Sequence, residues 1–586
     1  MKKMPRRTAS TIVSRQISRR NFLQTASLLA AAGLVSPGLA ADDSPRRKFD
    51  VCIYGATSGG VIAAATLARL GRSVLLVEPT RHVGGMTAGG LGWVDFGRAS
   101  SIGGATKKYF DAVRSYYAGE NIKTNGWSVE PHVAELLFEK ILAGPNIEIV
   151  REARLNMVKK EGRRIRFITL DKAPVDAHGA PAPEPAEENF LTVEAAMFID
   201  CSYEGDLLAK AGVSHRTDRE SRAEYGESLA GVCYSVPTSG REITGEKSSA
   251  SPLQIDPYVR PGDPSSGLIP LVSSASLLPA GSKSSVIQSY NFRLCMTKEN
   301  FIPIEAPANY DPKNFELMYR CFAALEKVGK PFEPGDLYFN FGHEGSGSPR
   351  LLKITRLVKG KTDVNNAASI SMDYIPGGAE RYANATWAER SKIWRAHEDY
   401  QRGLLYYLKT HDRLPDWVHG EMTKWGLAKD EFTDSAGWPT QLYVREARRM
   451  VGSYLIDQKH CEDPVVREDS IGMGSYSLDS HICQRLVKDG MVIHEGGFYS
   501  RGVSKPYPIP YGAITPRAEE CENLLVTFCV SATHVAFASV RMEPPFMIMG
   551  ESAAVAADQA MTEGKSVQEI DVKKLSSRLM DAGQCL

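Results

Sequence analysis

Six residues early in the chain, Gly55-Ala56-Thr57-Ser58-Gly59-Gly60, have the composition of a phosphate cradle. Gly55 permits a tight turn, and Gly60 lets a helix pack closely on a strand. Ser58 and Gly59 then open that helix, whose free N–H groups and positive dipole end suit a pyrophosphate. The middle glycine of the usual GxGxxG pattern is replaced by Thr57. Glu78 follows 23 residues after Gly55, at the distance where an acid can accept hydrogen bonds from a ribose diol.

These residues need particular elements to position them. The apolar run FDVCIY, residues 49–54, predicts a buried strand. The Ala-rich stretch 61–70 has helical spacing and stops at Gly71. Residues 73–77 predict a second strand, ending on Glu78 and Pro79. Strand, turn, helix, strand and acid together form a βαβ dinucleotide unit. A purely structural βαβ unit without ligand is the bland alternative.

The run Arg81-His82-Val83-Gly84-Gly85-Met86-Thr87-Ala88-Gly89-Gly90-Leu91 resembles the Arg-x-x-Gly-Gly stretch of glutathione-reductase-like flavoproteins. The mature chain is similar over nearly its whole length to FAD-dependent oxidoreductases grouped with the flavin domain of heterodisulfide reductases, some of them labelled xanthan-lyase-related. FIDCSYEGDLLAKAGV, SYNFRLCMT, KTDVNN, QLYVREARRMVGSY, IGMGSYSLDSH and the closing ENLLVTFCVSATHVAFASVRMEPPFMIMGESAAVAADQA carry the resemblance. Two departures stand out: Gly512 follows Pro510-Tyr511 where the family often has Arg, and iron–sulfur segments are absent. The resemblance implies an α/β fold, a Rossmann-like FAD-binding domain with an inserted α+β substrate domain, and FAD as cofactor. It places Arg81, Gly84, Gly85 and Met86 near the adenosine side and the flavin. It also implies a helix opening at Pro544-Pro545, with its N-terminus aimed at the flavin and Gly550, Ser552 and Ala553 as cofactor contacts.

Flavin chemistry on an alcohol or amine needs a base for the X–H proton and a cation or donor near the ring. His534, just after the flavin strand, and His481, at the end of a polar turn-rich segment, are the candidate bases. Arg293, Arg445 and Tyr511 complete the candidate catalytic set. A lone histidine is more often structural than catalytic. Arg445 and Arg448 are three apart and would share a helix face, as salt-bridge partners or an anion site.

Residues 1–40 read as an address: a basic start without acids, then Ser18-Arg19-Arg20-Asn21-Phe22-Leu23-Gln24, an apolar stretch too short for a membrane span, and a small-residue cleavage site at Gly38-Leu39-Ala40. This predicts a twin-arginine signal, passage through the twin-arginine translocase, and a periplasmic or secreted protein. Residues 46–215 and 493–586 are expected to form the two parts of the flavin domain, with 216–492 inserted as a substrate or cap domain. The proline- and acid-rich stretch 172–189 reads as a mobile surface loop. Five of the seven tryptophans fall in the insert, among them Trp387 and Trp394, seven apart on one helix face. A packed core and sugar-stacking platforms are both open for them.

Lys plus Arg total 70 and Asp plus Glu 69 in 586 residues, so charge gives no reason to expect nucleic acid as a partner. No two of the ten cysteines are spaced CxxC, and no metal site is predicted. The favoured function is an exported flavoenzyme passing hydride between flavin and a small organic or sugar-derived substrate, with an unknown electron acceptor. The alternative is an exported polysaccharide-processing or carbohydrate-binding protein in which FAD is structural. An NAD-dependent dehydrogenase ranks behind both.

Overall fold

The apolar run that opens the dinucleotide unit forms β1 (Arg46–Tyr54), whose last four residues are fully buried. In the computed structural model, which describes residues 44–237, 252–329, 331, 351–367 and 370–586, β1 lies at the centre of a seven-stranded sheet. The proposed signal at residues 1–40 lies outside the described residues. Helix α1 (Ser58–Arg69) follows β1 and leads to β2 (Val74–Glu78), which pairs parallel with β1. Beyond β2 comes β3 (Ile147–Arg151), also parallel.

On the other side of β1 lies the long strand β6 (Glu187–Asp200), parallel to it. The first half of β6 pairs antiparallel with β5 (Arg164–Lys172), which pairs with β4 (Ala153–Glu161). Residues Leu524–Val526 run parallel to the last three residues of β6 and close the parallel part of the sheet. The chain therefore runs outward in opposite directions from β1, and the carboxyl ends of β1 and β6 leave a crevice between them. A parallel sheet binds its ligand at such a switch point.

The middle of the chain adds a five-stranded antiparallel sheet built from β7 (Leu294–Thr297), β8 (Phe301–Pro303), β9 (Lys353–Arg356), β10 (Lys361–Asn365) and β11 (Gly426–Ala428), in the order β8-β11-β7-β10-β9. Beside it runs α2 (Trp387–Thr410), 24 residues opened by a capping box between Thr386 and Glu389. Near the C-terminus come β12, the Leu524–Val526 strand, then α3 (His534–Val540) and α4 (Glu543–Glu563). Residues Pro45–Leu586 form one compact unit. Among the described residues no helix is long and apolar enough to cross a membrane.

Two local expectations are corrected. Within the stretch 172–189, expected as a mobile surface loop, residues 173–186 do connect two strands as a loop but are docked on α2: His178 meets Glu398 at 2.9 Å, Arg395 pairs with Asp176, and Ala180 is fully buried. Arg445 and Arg448 do not share a helix face, because their segment is extended up to the short strand Arg449–Met450. Arg445 reaches Asp373 and the Ser289 carbonyl, whereas Arg448 reaches Asp206 and the Ala383 carbonyl. Buried acceptors on different elements override the local helical pattern. All ten cysteines are free thiols, eight of them buried.

Candidate functional site

At the end of β1, Gly55 has φ +97°, and a Cβ there would lie 2.7 Å from the Ser202 backbone nitrogen. Only glycine fits that left-handed turn against the end of β6. Thr57, the departure from the glycine pattern, caps α1: its hydroxyl accepts from Gly60 N–H at 3.3 Å and donates to the Cys201 carbonyl at 2.9 Å. The backbone N–H groups of Ser58 and Gly59 have no acceptor among the described residues, so the start of a twelve-residue helix faces the crevice with open donors. A Cβ on Gly60 would collide with the Gly55 carbonyl oxygen.

Glu78 ends β2 and is 6% exposed. Its Oε2 accepts from Ala56 N–H at 2.8 Å, and its Oε1 accepts from the Thr80 N–H at 2.8 Å and hydroxyl at 2.7 Å. Burial raises its pKa, and those hydrogen bonds oppose the rise. Gly55, Thr57, Glu78, Pro79 and Gly85 line one cleft, across from Trp387 and Trp394 of α2. The donors of α1, the glycine cradle and the Glu78 carboxylate fit the pyrophosphate and ribose of FAD.

Gly85, although it lines the cleft, and the remaining expected cofactor residues are packed against the protein's own groups. Met86 N–H donates to the Tyr203 hydroxyl at 2.7 Å, and a Cβ on Gly85 would strike that same hydroxyl. Gly84 packs on the Phe138 ring, and Arg81 is held by Glu152 and Asp434 at 3.4 and 3.2 Å. Gly550 and Ala553 lie well inside α4 rather than at its N-terminus, and Gly550 is pressed against the backbone of Gly59. The Ser552 hydroxyl donates to the Ile471 and Ile548 carbonyls at 2.8 and 2.9 Å.

What sits at the N-terminus of α4 is Glu543, which no sequence motif singles out. It accepts from the Ser58 hydroxyl at 2.6 Å, from Thr87 at 2.8 Å and from Tyr203 at 3.0 Å. Burial raises its pKa against these three donors. Glu204, equally unmarked in the sequence, lines the cleft without an ion pair among the described residues, and burial pushes it up as well. Its neighbour Asp206 takes both Arg390 and Arg448. Trp387 has the Arg390 and Arg154 guanidinium groups 4.8 and 5.2 Å from its ring centre, and Trp394 packs edge-on against Phe292. Both rings are thus engaged by protein.

A second group of residues begins where the cleft ends. Gln441 and Leu442 line the cleft, and Tyr443 and Arg445 follow on the same extended segment. The His481 Nδ1 lies 2.6 Å from Asp373 Oδ2, and Arg445 holds Asp373 Oδ1 at 3.0 Å. Burial alone would raise Asp373, but Arg445 and His481 hold it down at about 2. An ionised Asp373 fixes the proton of His481 on Nδ1. The Nε2 has no partner among the described residues and carries the lone pair. Burial, then Arg445, lower the pKa of His481, so its neutral form dominates at pH 7. The side chain still keeps 17% of its exposure, so an opening reaches it.

His534 is arranged otherwise. Its Nδ1 contacts both Glu446 oxygens at 2.8 and 3.0 Å, its Nε2 lies 3.3 Å from Ser480 Oγ, and it is 2% exposed. Both ring nitrogens are occupied, and the residue opens α3. Arg293 grips Asp363 through Nε and Nη2. Tyr511 donates its hydroxyl to the Val567 carbonyl at 2.8 Å, which ties it to the C-terminal segment. Among the described residues Glu130, His132 and Glu431 could hold a metal ion, but the Lys361 ammonium stands 2.7 and 2.6 Å from those two carboxylates and fills the cation's place.

Residues 50–579 match a family described as FAD dependent oxidoreductase. No curated protein matches the chain significantly. Among solved structures, the chain is similar to the OxyS anhydrotetracycline hydroxylase from Streptomyces rimosus at 15% identity and TM-score 0.19, over 30% of this chain and 38% of that one. It is similar to L-proline dehydrogenase from P. horikoshii at 17% identity and TM-score 0.17, over 31% of this chain and 26% of that one. It is also similar to FrdA of E. coli quinol fumarate reductase at 10% identity and TM-score 0.28, over 92% of this chain and 74% of that one. The chain thus spans under half the length of the first two, 38% and 26%.

Proposed function

The chain belongs to the FAD-dependent oxidoreductase family, and on that premise we propose an exported enzyme that oxidises or reduces a small organic substrate beside His481. It is an oxidoreductase, and FAD is its cofactor. FAD supplies the two-electron chemistry when bound, exchanging a hydride with a carbon of the substrate. The chain's own residues supply the rest. The open N–H groups at Ser58 and Gly59 and the Glu78 carboxylate would hold the cofactor's ADP half. Asp373 keeps the proton of His481 on Nδ1, and the free Nε2 takes the O–H or N–H proton of the substrate.

The observation that carries this reading is the pairing of a neutral, solvent-reached His481 with a buried, ionised Asp373. An anaerobic screen of flavin reduction with sugars, polyols, amines and organic acids tests it. With an active donor, His481→Ala is expected to slow reduction by about 10²–10⁴-fold while FAD stays bound. His534→Ala is expected to lower stability first, because it removes one partner of the buried Glu446, which keeps only Arg449 and Gln288. Wild-type reduction rates in His481→Ala would remove His481 from the role of base.

Export by the twin-arginine route rests on Arg19-Arg20 and the small-residue site at Ala40. A tightly held flavin suits a route that moves folded proteins. Arg19→Lys with Arg20→Lys is expected to hold the protein in the cytoplasm, and normal export of that variant overturns this part of the reading. The subgroup resemblance to heterodisulfide reductase flavin domains belongs to the same proposal, without their iron–sulfur role.

A further inference from the structure

Three buried arginines converge on one tyrosine. The guanidinium of Arg445 lies 4.6 Å from the Tyr443 ring centre and that of Arg293 lies 6.0 Å from it. Arg541 donates to the Tyr443 hydroxyl at 3.2 Å. Two of the three are neutralised in contact, Arg293 by Asp363 and Arg445 by Asp373.

Arg541 is not. Its Nη2 donates to the Asp479 carbonyl at 2.7 Å, its Nη1 goes to Tyr443, and its Nε has no acceptor among the described residues. It is 4% exposed, and no carboxylate among the described residues forms an ion pair with it. The Nε of Arg445 is orphaned too. Asp95 and Asp479 act on Arg541 through space, but both are half-buried and open to water, so their charges are screened. A buried guanidinium without a contacting anion is costly. Arg541 caps the C-terminus of α3 and lies two residues before the start of α4, so the two helix dipoles oppose one another there and supply no net counter-charge. Tyr443 and Asp479, which it bonds, and Tyr476 are each only half-buried, as is His481 two residues on from Asp479, so water reaches this part of the fold, a recess beside Arg541.

We infer that this recess binds an anionic substrate, a small carboxylate, with Arg541 and the Tyr443 hydroxyl as its anchor. The inference deepens the reading of His481 as the proton-holding group and rests on it for the placement of the substrate's reacting end. Arg541 is the only one of the three arginines free to give a carboxylate a charge-assisted hydrogen bond without first breaking an ion pair. The same anionic chemistry could come from the cofactor's own groups, and the test separates the two sources.

The FAD-loaded protein is titrated at low salt with acetate, glycolate and succinate, and with glycerol and glucose as neutral controls, followed by calorimetry and by the flavin spectrum. Carboxylates are expected to bind and the neutral compounds not. Arg541→Gln is expected to weaken carboxylate binding at least about tenfold with FAD retained, and Arg541→Lys to restore part of it. Carboxylate-independent heats and spectra in the wild type would sink the proposal. So would an Arg541→Gln protein that loses FAD while its loaded fraction binds carboxylates as before, since the anion would then be the cofactor's own. If Arg541→Gln loses carboxylate binding but His481→Ala reduces at the wild-type rate, the anchor stands and only the base assignment falls.

Discussion

At the scale of single residues, Gly60 and Glu78 carry the cofactor prediction most directly. A Cβ at Gly60 runs into the Gly55 carbonyl, so Gly60→Val is expected to abolish FAD retention, read from the absorbance of the purified protein. Glu78 also braces the turn through Ala56 and Thr80. Glu78→Ala is therefore expected to weaken FAD binding by roughly 1–3 kcal/mol, and full occupancy in both variants would move the cofactor elsewhere. The glycines and Glu78 were legible because the dinucleotide turn demands particular residue types at particular spacing. Glu543, Glu204 and Asp373 were not, because an acid near a helix start or in a polar run reads as ordinary surface chemistry. Arg541 left no signal either, because an arginine at the end of one helix and just before the next is ordinary.

At the scale of elements, the crossing of α1 and α4 decides more than any one contact in it. Gly59 meets the Phe546 carbonyl, with a would-be Cβ 2.7 Å away, and Gly550 meets Gly59 in return. The small-residue face of α4 is thus a packing surface that lets two helix backbones touch. Gly550→Val is expected to force the helices apart, lowering thermal stability by several degrees and releasing FAD as the α1 N-terminus shifts. An unchanged melting temperature with full FAD would show that the interface relaxes. The periodicity of residues 61–70 and of α2 announced helices correctly, but not which faces would meet. The docking of residues 173–186 on α2 was hidden for the same reason, since a proline-rich loop carries no pattern that names its partner.

At the scale of the whole molecule, acid sensitivity follows from histidines buried neutral. Burial lowers His397 to about 4, and its Nδ1 donates to the Ile393 carbonyl at 2.8 Å. The unfolded chain, with the ordinary value of 6.5, binds a second proton on that ring more readily. Stability from this group is therefore fully present above about pH 6.5 and is lost as the pH falls toward 4, by up to roughly 3 kcal/mol. A melting temperature that does not fall over that range, or falls equally in His397→Gln, would contradict it. By itself the sequence determined the βαβ unit, its tight glycine turn and the acid that ends its second strand, because these depend on short-range turn chemistry and on residues next to one another in the chain. Only the tertiary structure left Nε2 of His481 open while occupying both ring nitrogens of His534, separated Arg445 from Arg448, and placed no carboxylate of the described residues in contact with Arg541. Those outcomes depend on which buried carboxylate each side chain can reach: Asp373 lies 108 residues from His481 and Glu446 lies 88 from His534, and no local pattern specifies a partner over such separations.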